Sequence, residues 1–189
     1  MNISYPRLST STILSELGSR FRESAHDRRI YAVLGSYPAI ETFAQKVRAL
    51  CEQNGFGDAG RRVNFFNLNE ALLNHLEAEG DLATAMDLGE RLRNRQLTRL
   101  VGDAWSSWLS VKMAQDHGLV LAGFELFYAY LDSNALALVR QYAINGKHIC
   151  LLIPGTERDG HVWIFDETPD FRRQIDGLIP QWTYIIKEN

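Results

Sequence analysis

The stretch Ile30-Tyr31-Ala32-Val33-Leu34-Gly35-Ser36-Tyr37-Pro38 decides the fold class. It opens with a continuous apolar run, Ile30 to Leu34. A strand with one wet face would alternate apolar and polar residues, whereas an unbroken run marks a strand covered on both faces. Gly35 ends the run and Ser36-Tyr37-Pro38 makes a turn. Ile40, Phe43, Ala44, Val47, Leu50 and Cys51 then follow at the spacing of one helix face. A buried strand that turns straight into an amphipathic helix is the first half of a strand–helix–strand unit.

The same grammar recurs outward from this unit. Val63 to Leu68 reads as a second strand, and Leu68, Ala71, Leu72, His75 and Leu76 begin a helix that Gly80 stops. Gly118 to Gly123 is a third strand. Leu126 to Ile144 is mostly helical, with a break near Asp132-Ser133-Asn134, and Asn145-Gly146 caps its end. His148 to Ile153 is a fourth strand closed by Pro154-Gly155. After a turn at Arg158-Asp159-Gly160, His161 to Phe165 is a fifth, and Trp182 to Ile186 a sixth. Strands that alternate with helices predict an α/β fold with a mostly parallel sheet. The expectation is a single domain over 30–189, its sheet covered by helices in a P-loop-like topology. A helical insertion is expected at about 82–115, broken near Gly89. The fourth and fifth runs are expected to form a C-terminal β-hairpin at one edge of the sheet. Residues 1–29 read as an N-terminal helix with a polar lead, carrying Leu14, Leu17 and Phe21.

Composition narrows the function classes. The chain has 189 residues, 23 acids against 20 bases and a formal charge of -3, with 46% hydrophobic residues. This balance suits neither a basic nucleic-acid coat protein nor an acidic disordered tail. The two cysteines, Cys51 and Cys150, are too few for a disulfide framework and fit a reducing compartment. No apolar run approaches membrane-spanning length, and Met1 to Thr12 holds no signal-peptide core, so the expected location is cytoplasmic, with no membrane.

Motifs for common chemistry are missing where they would be needed. A phosphate loop requires G-x-x-x-x-G-K-[ST] after the first strand, so that backbone N–H groups and a Lys surround the phosphates. The chain has Gly35-Ser36-Tyr37-Pro38-Ala39-Ile40-Glu41-Thr42 there, with no second Gly, no Lys, and a Pro in place of one donor. There is thus no Walker A motif. Gly55, Gly57 and Gly60 match G-x-G-x-x-G but follow a helix and precede a strand, the reverse of a dinucleotide site. No Ser lies in G-x-S-x-G. His75 and Glu79 share a helix face, but two groups do not make a metal site. No catalytic residue, cofactor or metal is expected.

Three features stand out. Arg91, Arg95 and Arg99 are four apart and share one helix face, a stripe able to pair a partner's carboxylates or to touch phosphate. Leu97, Val101, Ala104, Trp108 and Val111 form a stripe with Trp105 beside it; these are core residues, unless a Trp is exposed as an interface anchor. Glu125 and Tyr128, after Gly123-Phe124, lie with Pro154 and Gly155 at the carboxyl ends of strands, where open α/β sheets bind ligands. The candidate partner surface is therefore Arg91, Arg95, Arg99 and Trp105, and the candidate strand-end set is Glu125, Tyr128, Pro154 and Gly155. An edge of the Pro154 to Phe165 hairpin is a second candidate for contact.

The same segments carry a family resemblance. The strand and Tyr-Pro turn from Val33 to Glu41, the strand and Leu-rich helix from Val63 to Leu73, and the strand end from Leu121 to Tyr130 resemble BrxB, a small subunit of BREX bacteriophage-exclusion systems. So does the apolar strand ending Pro154-Gly155, followed by a short loop and a strand ending at Phe165. The resemblance spans about 30–166. It departs at Gly35-Ser36, where the family tends to an acid, at Ala129-Tyr130-Leu131-Asp132, and at Phe171-Arg172. It implies a non-enzymatic accessory or scaffold subunit of a phage-defence complex, with a PglZ-like protein as partner. A degenerate nucleotide-binding switch and a weak DNA-contacting module are the alternatives from other classes.

Overall fold

In the computed structural model the residues described are 5–22, 29–56, 61–130, 135–159, 161–166, 172–174 and 182–188. Their elements run β1 (Arg7–Leu8), α1 (Thr10–Arg22), β2 (Ile30–Gly35), α2 (Tyr37–Glu52), β3 (Val63–Asn67), α3 (Leu68–Glu79), α4 (Asp81–Met86) and α5 (Glu90–Gln115). They continue with β4 (Gly118–Ala122), α6 (Glu125–Tyr130), α7 (Ala135–Ile144), β5 (His148–Arg158), β6 (His161–Ile164), β7 (Arg173–Gln174) and β8 (Trp182–Ile186). The sheet has the order β1-β8-β2-β5-β4-β3, and every neighbouring pair along it is parallel. This is the α/β fold with a mostly parallel sheet. The strand that would carry a phosphate loop, β2, lies at its centre between β8 and β5.

The continuous apolar runs divide residue by residue between two layers. On one face Ala32, Leu34, Leu119, Leu121, Ile149, Leu151, Ile153 and Ile185 pack with residues of α3, α5, α6 and α7. On the other, Tyr31, Val33, Val120, Ala122, Cys150, Leu152, Tyr184 and Ile186 pack with α1 and α2. Neighbours along a strand point to opposite faces, so one unbroken run feeds both cores. The N-terminal helix belongs to this core: Ile13, Leu17 and Phe21 of α1 are fully buried.

Local signals set the element ends. Ser36 caps α2 by accepting from the Ala39 N–H at 3.4 Å, and Pro38 fits the first turn, where its missing N–H has no partner to lose. Asn67 caps α3 by accepting from the Glu70 N–H at 3.2 Å. Gly80, at φ 78°, ends that helix in the left-handed conformation. The expected insertion is α4 and α5, separated at 87–89. Helix α5 has 26 residues, a length of about 39 Å. Full burial in α5 starts only at Leu97; ahead of it Arg93 and Gln96 are half-buried and Glu90, Arg91, Leu92, Asn94 and Arg95 are exposed.

Three expectations are corrected here. The fourth strand does not close at Pro154-Gly155 but continues to Arg158. Pro154 ends the parallel ladder, opposite Gly35, yet its carbonyl accepts from the Phe165 N–H at 2.8 Å. The hairpin is therefore not at an edge: it is the overhang of the central strand β5, paired antiparallel with β6, which in turn pairs β7. Val111, expected on the apolar stripe, is 51% exposed, because the inward face of α5 drifts to Trp105, Leu109 and Met113.

Candidate functional site

The carboxyl ends of β2, β4 and β5 meet at two adjoining cavities. One, of 440 Å³, is bounded by Tyr37, Glu41, Arg48, Gly123, Glu125 and Pro154. The other, of 360 Å³, is bounded by Ser36, Tyr37, Pro154, Gly155, Arg158 and Glu188. Glu125, Pro154 and Gly155 thus reach the strand-end crevice. Tyr128 does not: its ring packs among Phe124, Phe127 and Phe165 at centroid distances of 6.1, 5.3 and 5.5 Å. Its hydroxyl is buried without a hydrogen-bond partner among the described residues, and burial pushes its pKa up.

Glu125 is held by a staple between two helix starts. Its Oε2 accepts from Asn69 Nδ2 at 2.6 Å, while Asn69 Oδ1 accepts from the Leu126 N–H at 2.9 Å. The Asn69 side chain is fully engaged on these two contacts, so the first turns of α3 and α6 move together. Gly123 lets β4 pass close beneath. Its φ is 72°, and a Cβ there would stand 2.4 Å from Asn67 Oδ1, the cap of α3. The carboxylate therefore belongs to a rigid strand-end scaffold.

The start of α2 is the place in such a sheet where an anion would bind, because unpaired N–H groups and the helix dipole favour negative charge there. A carboxylate of the chain itself approaches it. Glu188 accepts from the Ser36 N–H at 3.0 Å, and hydrogen bonds from the Ser36 side chain and backbone hold its carboxyl below the usual range. Arg158, across this cavity, pairs instead with Asp166 at 2.5 Å, and Arg172 pairs with the same carboxylate at 3.2 Å. Arg172 also lies over the Trp163 ring at 4.2 Å.

The Arg stripe is real as geometry, since α5 is continuous across it. Arg91, Arg95 and Arg99 are all exposed. Arg99 is paired with Asp103 at 3.3 Å; Arg91 and Arg95 have no ion-pair partner among the described residues. Trp105 is not part of this surface, which corrects its place among the partner candidates. It is 1% exposed and packs on Trp108 and Phe127 at 6.1 and 5.1 Å. The exposed apolar side chain at the stripe is instead Leu92, 60% exposed, which bounds a small cavity with Arg91 and Arg95; Met86, 54% exposed, ends the preceding helix α4. Sequence reading passes over both because they lie ahead of Leu97, outside the periodic stripe. The hairpin edge is covered in part, since Trp163 and Ile164 of β6 pair with β7.

A third polar group lies at the amino ends of the strands. His148 is buried and shares a hydrogen bond with the Tyr31 hydroxyl at 3.2 Å, and the His117 ring stands 5.1 Å away. Burial, with Arg29, His117 and Arg61 adding repulsion, lowers the His148 pKa to about 3. Cys51 and Cys150 are free and buried, and burial raises both thiols, that of Cys51 to about 12. His75 and Glu79 meet at 3.3 Å as an i,i+4 pair. Among the described residues no three His, Cys, Asp or Glu side chains converge to hold a metal, and no helix is long and apolar enough to cross a membrane. No protein-family model matches the chain, and a search of curated proteins returns no significant match.

Proposed function

We propose that the protein is an accessory subunit of a BREX-type phage-exclusion complex and acts by contact with a PglZ-like partner protein. The observation that carries the reading is the projecting start of α5. There Leu92 is exposed between Arg91 and Arg95, neither of which has a partner among the described residues. A large apolar side chain ringed by guanidinium groups has the make-up of an interface hot spot: the arginines pair carboxylates while the apolar group is desolvated. The strand-end scaffold supports the reading from the other side, because Glu125 is engaged by Asn69 and the start of α2 by Glu188.

The test is co-purification of the PglZ-like partner with the wild-type chain and with Arg91→Glu/Arg95→Glu/Arg99→Glu. The reading expects the triple variant to keep its melting temperature and lose the partner. A retained complex refutes the surface, and a wild-type chain that never captures the partner refutes the complex.

A further inference from the structure

We propose that the open edge of β3 binds an extended, acidic peptide segment as an added strand, seated in a trench between α2 and α3. Among the described residues strand β3 is the last in the sheet order and pairs only with β4. Its outer backbone groups have no partner among the described residues. Unpaired strand edges invite another chain, and proteins normally blunt them with proline, bulges or a covering element. Val63-Asn64-Phe65-Phe66-Asn67 contains no proline and no residue at positive φ.

The space beside this edge has the shape of a strand. A cavity of 810 Å³ runs along β3, walled by Arg48 and Glu52 of α2 on one side and by Glu70 and Asn74 of α3 on the other. A second, of 490 Å³, shares Arg62, Asn64, Phe65 and Phe66 and continues to Lys112 and Gln115 at the end of α5. Five strand residues span about 17 Å, enough for a short peptide to form a ladder. In this mode of recognition main-chain hydrogen bonds supply affinity and side-chain sites along the groove supply selectivity.

Charge selects the occupant. Phe65 and Phe66 are adjacent in the strand and so face opposite sides of the sheet. Each lies under a cation, Arg48 at 4.9 Å from the Phe65 ring and Lys112 at 5.0 Å from that of Phe66. Both flanks of the edge therefore present a positive head group held over an aromatic platform. Arg61 and Arg62 add two more cations along the cavity wall. Among the described residues lining the two cavities, four cations, Arg48, Arg61, Arg62 and Lys112, face three acids, Glu52, Glu70 and Asp116, of which Asp116 is buried and accepts from Asn64 Nδ2 at 2.7 Å. A strand with carboxylates on both faces satisfies backbone and side chains together. This shares with the preceding reading only the idea of contact; it uses no residue of the α5 stripe, so either surface can fail alone.

The probe is a fluorescein-labelled, end-blocked octapeptide of two Glu-Glu-Val-Val repeats, which puts carboxylates on both faces of a strand, with its Lys-Lys-Val-Val counterpart as control. Fluorescence anisotropy should show saturable binding of the acidic peptide only, weakened at least tenfold by Arg48→Glu/Lys112→Glu. Hydrogen exchange should slow at alternate backbone amides of 63–67 when the peptide is bound. If the double variant melts early, Arg48→Gln/Lys112→Gln, which keeps most of each side chain, is read in its place. Four results overturn the proposal: no saturation, equal binding of both peptides, unchanged exchange at β3, or tighter binding of oligothymidylate, which makes the trench a nucleic-acid site. A concentration-dependent dimer lost in the same variant overturns it too, by giving the edge to a second copy.

Discussion

Replacing Gly123 by Ala tests whether the strand-end scaffold is as tightly built as its geometry indicates. Two costs add at this position. The backbone sits at φ 72°, which an L-residue adopts at a cost of about 1 kcal/mol or somewhat more. The new Cβ would also stand 2.4 Å from Asn67 Oδ1, so the Asn67 side chain must leave the Glu70 N–H it caps. Losing such a cap costs about 1 kcal/mol. The total is roughly 2–3 kcal/mol, or about 4–12 °C in Tm for a domain of this size. Gly80 provides an internal control. Its φ is 78°, yet a Cβ there meets nothing within 4 Å, so Gly80→Ala carries the backbone cost alone. Urea unfolding of both variants gives the two free energies side by side. Gly123→Ala should exceed Gly80→Ala by about 1 kcal/mol. Equal losses would refute the argument that Gly123 is there to make room for the cap of α3.

Three other outcomes are expected. Because the folded pKa of His148 lies near 3 and the unfolded value near 6.5, the unfolded chain takes up a proton the native one refuses. Stability from this group is complete above pH 6.5 and falls as pH drops toward 3, by up to about 1.4 kcal/mol per pH unit; His148→Phe should flatten that limb of a stability–pH curve, and an unchanged limb would assign it to other groups. Trp105→Ala should cost about 3–5 kcal/mol by chemical denaturation, whereas Arg91→Glu should change stability by less than about 0.5 kcal/mol, and the opposite ranking would put the Arg stripe in the fold and the Trp at the surface. Titration calorimetry with Mg-ATP should show no appreciable affinity, since the turn after β2 has Pro38 and no Lys and its first N–H serves Glu188; saturable micromolar binding abolished by Glu125→Ala would favour a nucleotide switch instead.

What could be read from the chain follows from the physics of each signal. The runs of β2, β4 and β5 are legible because a strand covered on both faces must be continuously apolar. The caps at Ser36 and Asn67 leave local polar marks. Strand β1 leaves none: it is the pair Arg7-Leu8, recruited by Ile185 and Ile186 from the far end of the chain. Pro154-Gly155 reads as a stop because Pro ends the parallel ladder, but Gly155 then accepts a close antiparallel neighbour, where a Cβ would meet the Trp163 carbonyl at 2.6 Å. Trp105 flanks the periodic stripe, so its sequence position leaves its direction open, and packing on Trp108 and Phe127 turns it inward. Leu92 and the approach of Glu188 to Ser36 depend on which helix overhangs and where the last strand ends, and neither is a periodic signal. Glu125 is legible from its position at a strand end, while its partner Asn69 sits 56 residues earlier in the chain.

The insertion of β8 between β1 and β2 has a consequence for how the chain is made. During synthesis domains tend to fold from the N-terminal side as residues emerge. Here β2 is made before both of its neighbours, β5 and β8, and among the described residues β1 pairs only with β8. The first sheet pairing available in order of synthesis is β3 with β4, at one side of the finished sheet. Until 148–158 have been made, Tyr31-Ala32-Val33-Leu34 has no strand to pair with, and until 182–186 follow, Arg7-Leu8 has none. Nascent chains therefore carry an unsatisfied apolar strand while residues 36–147 are made, a segment that holding chaperones can occupy and that β5 is the first to claim.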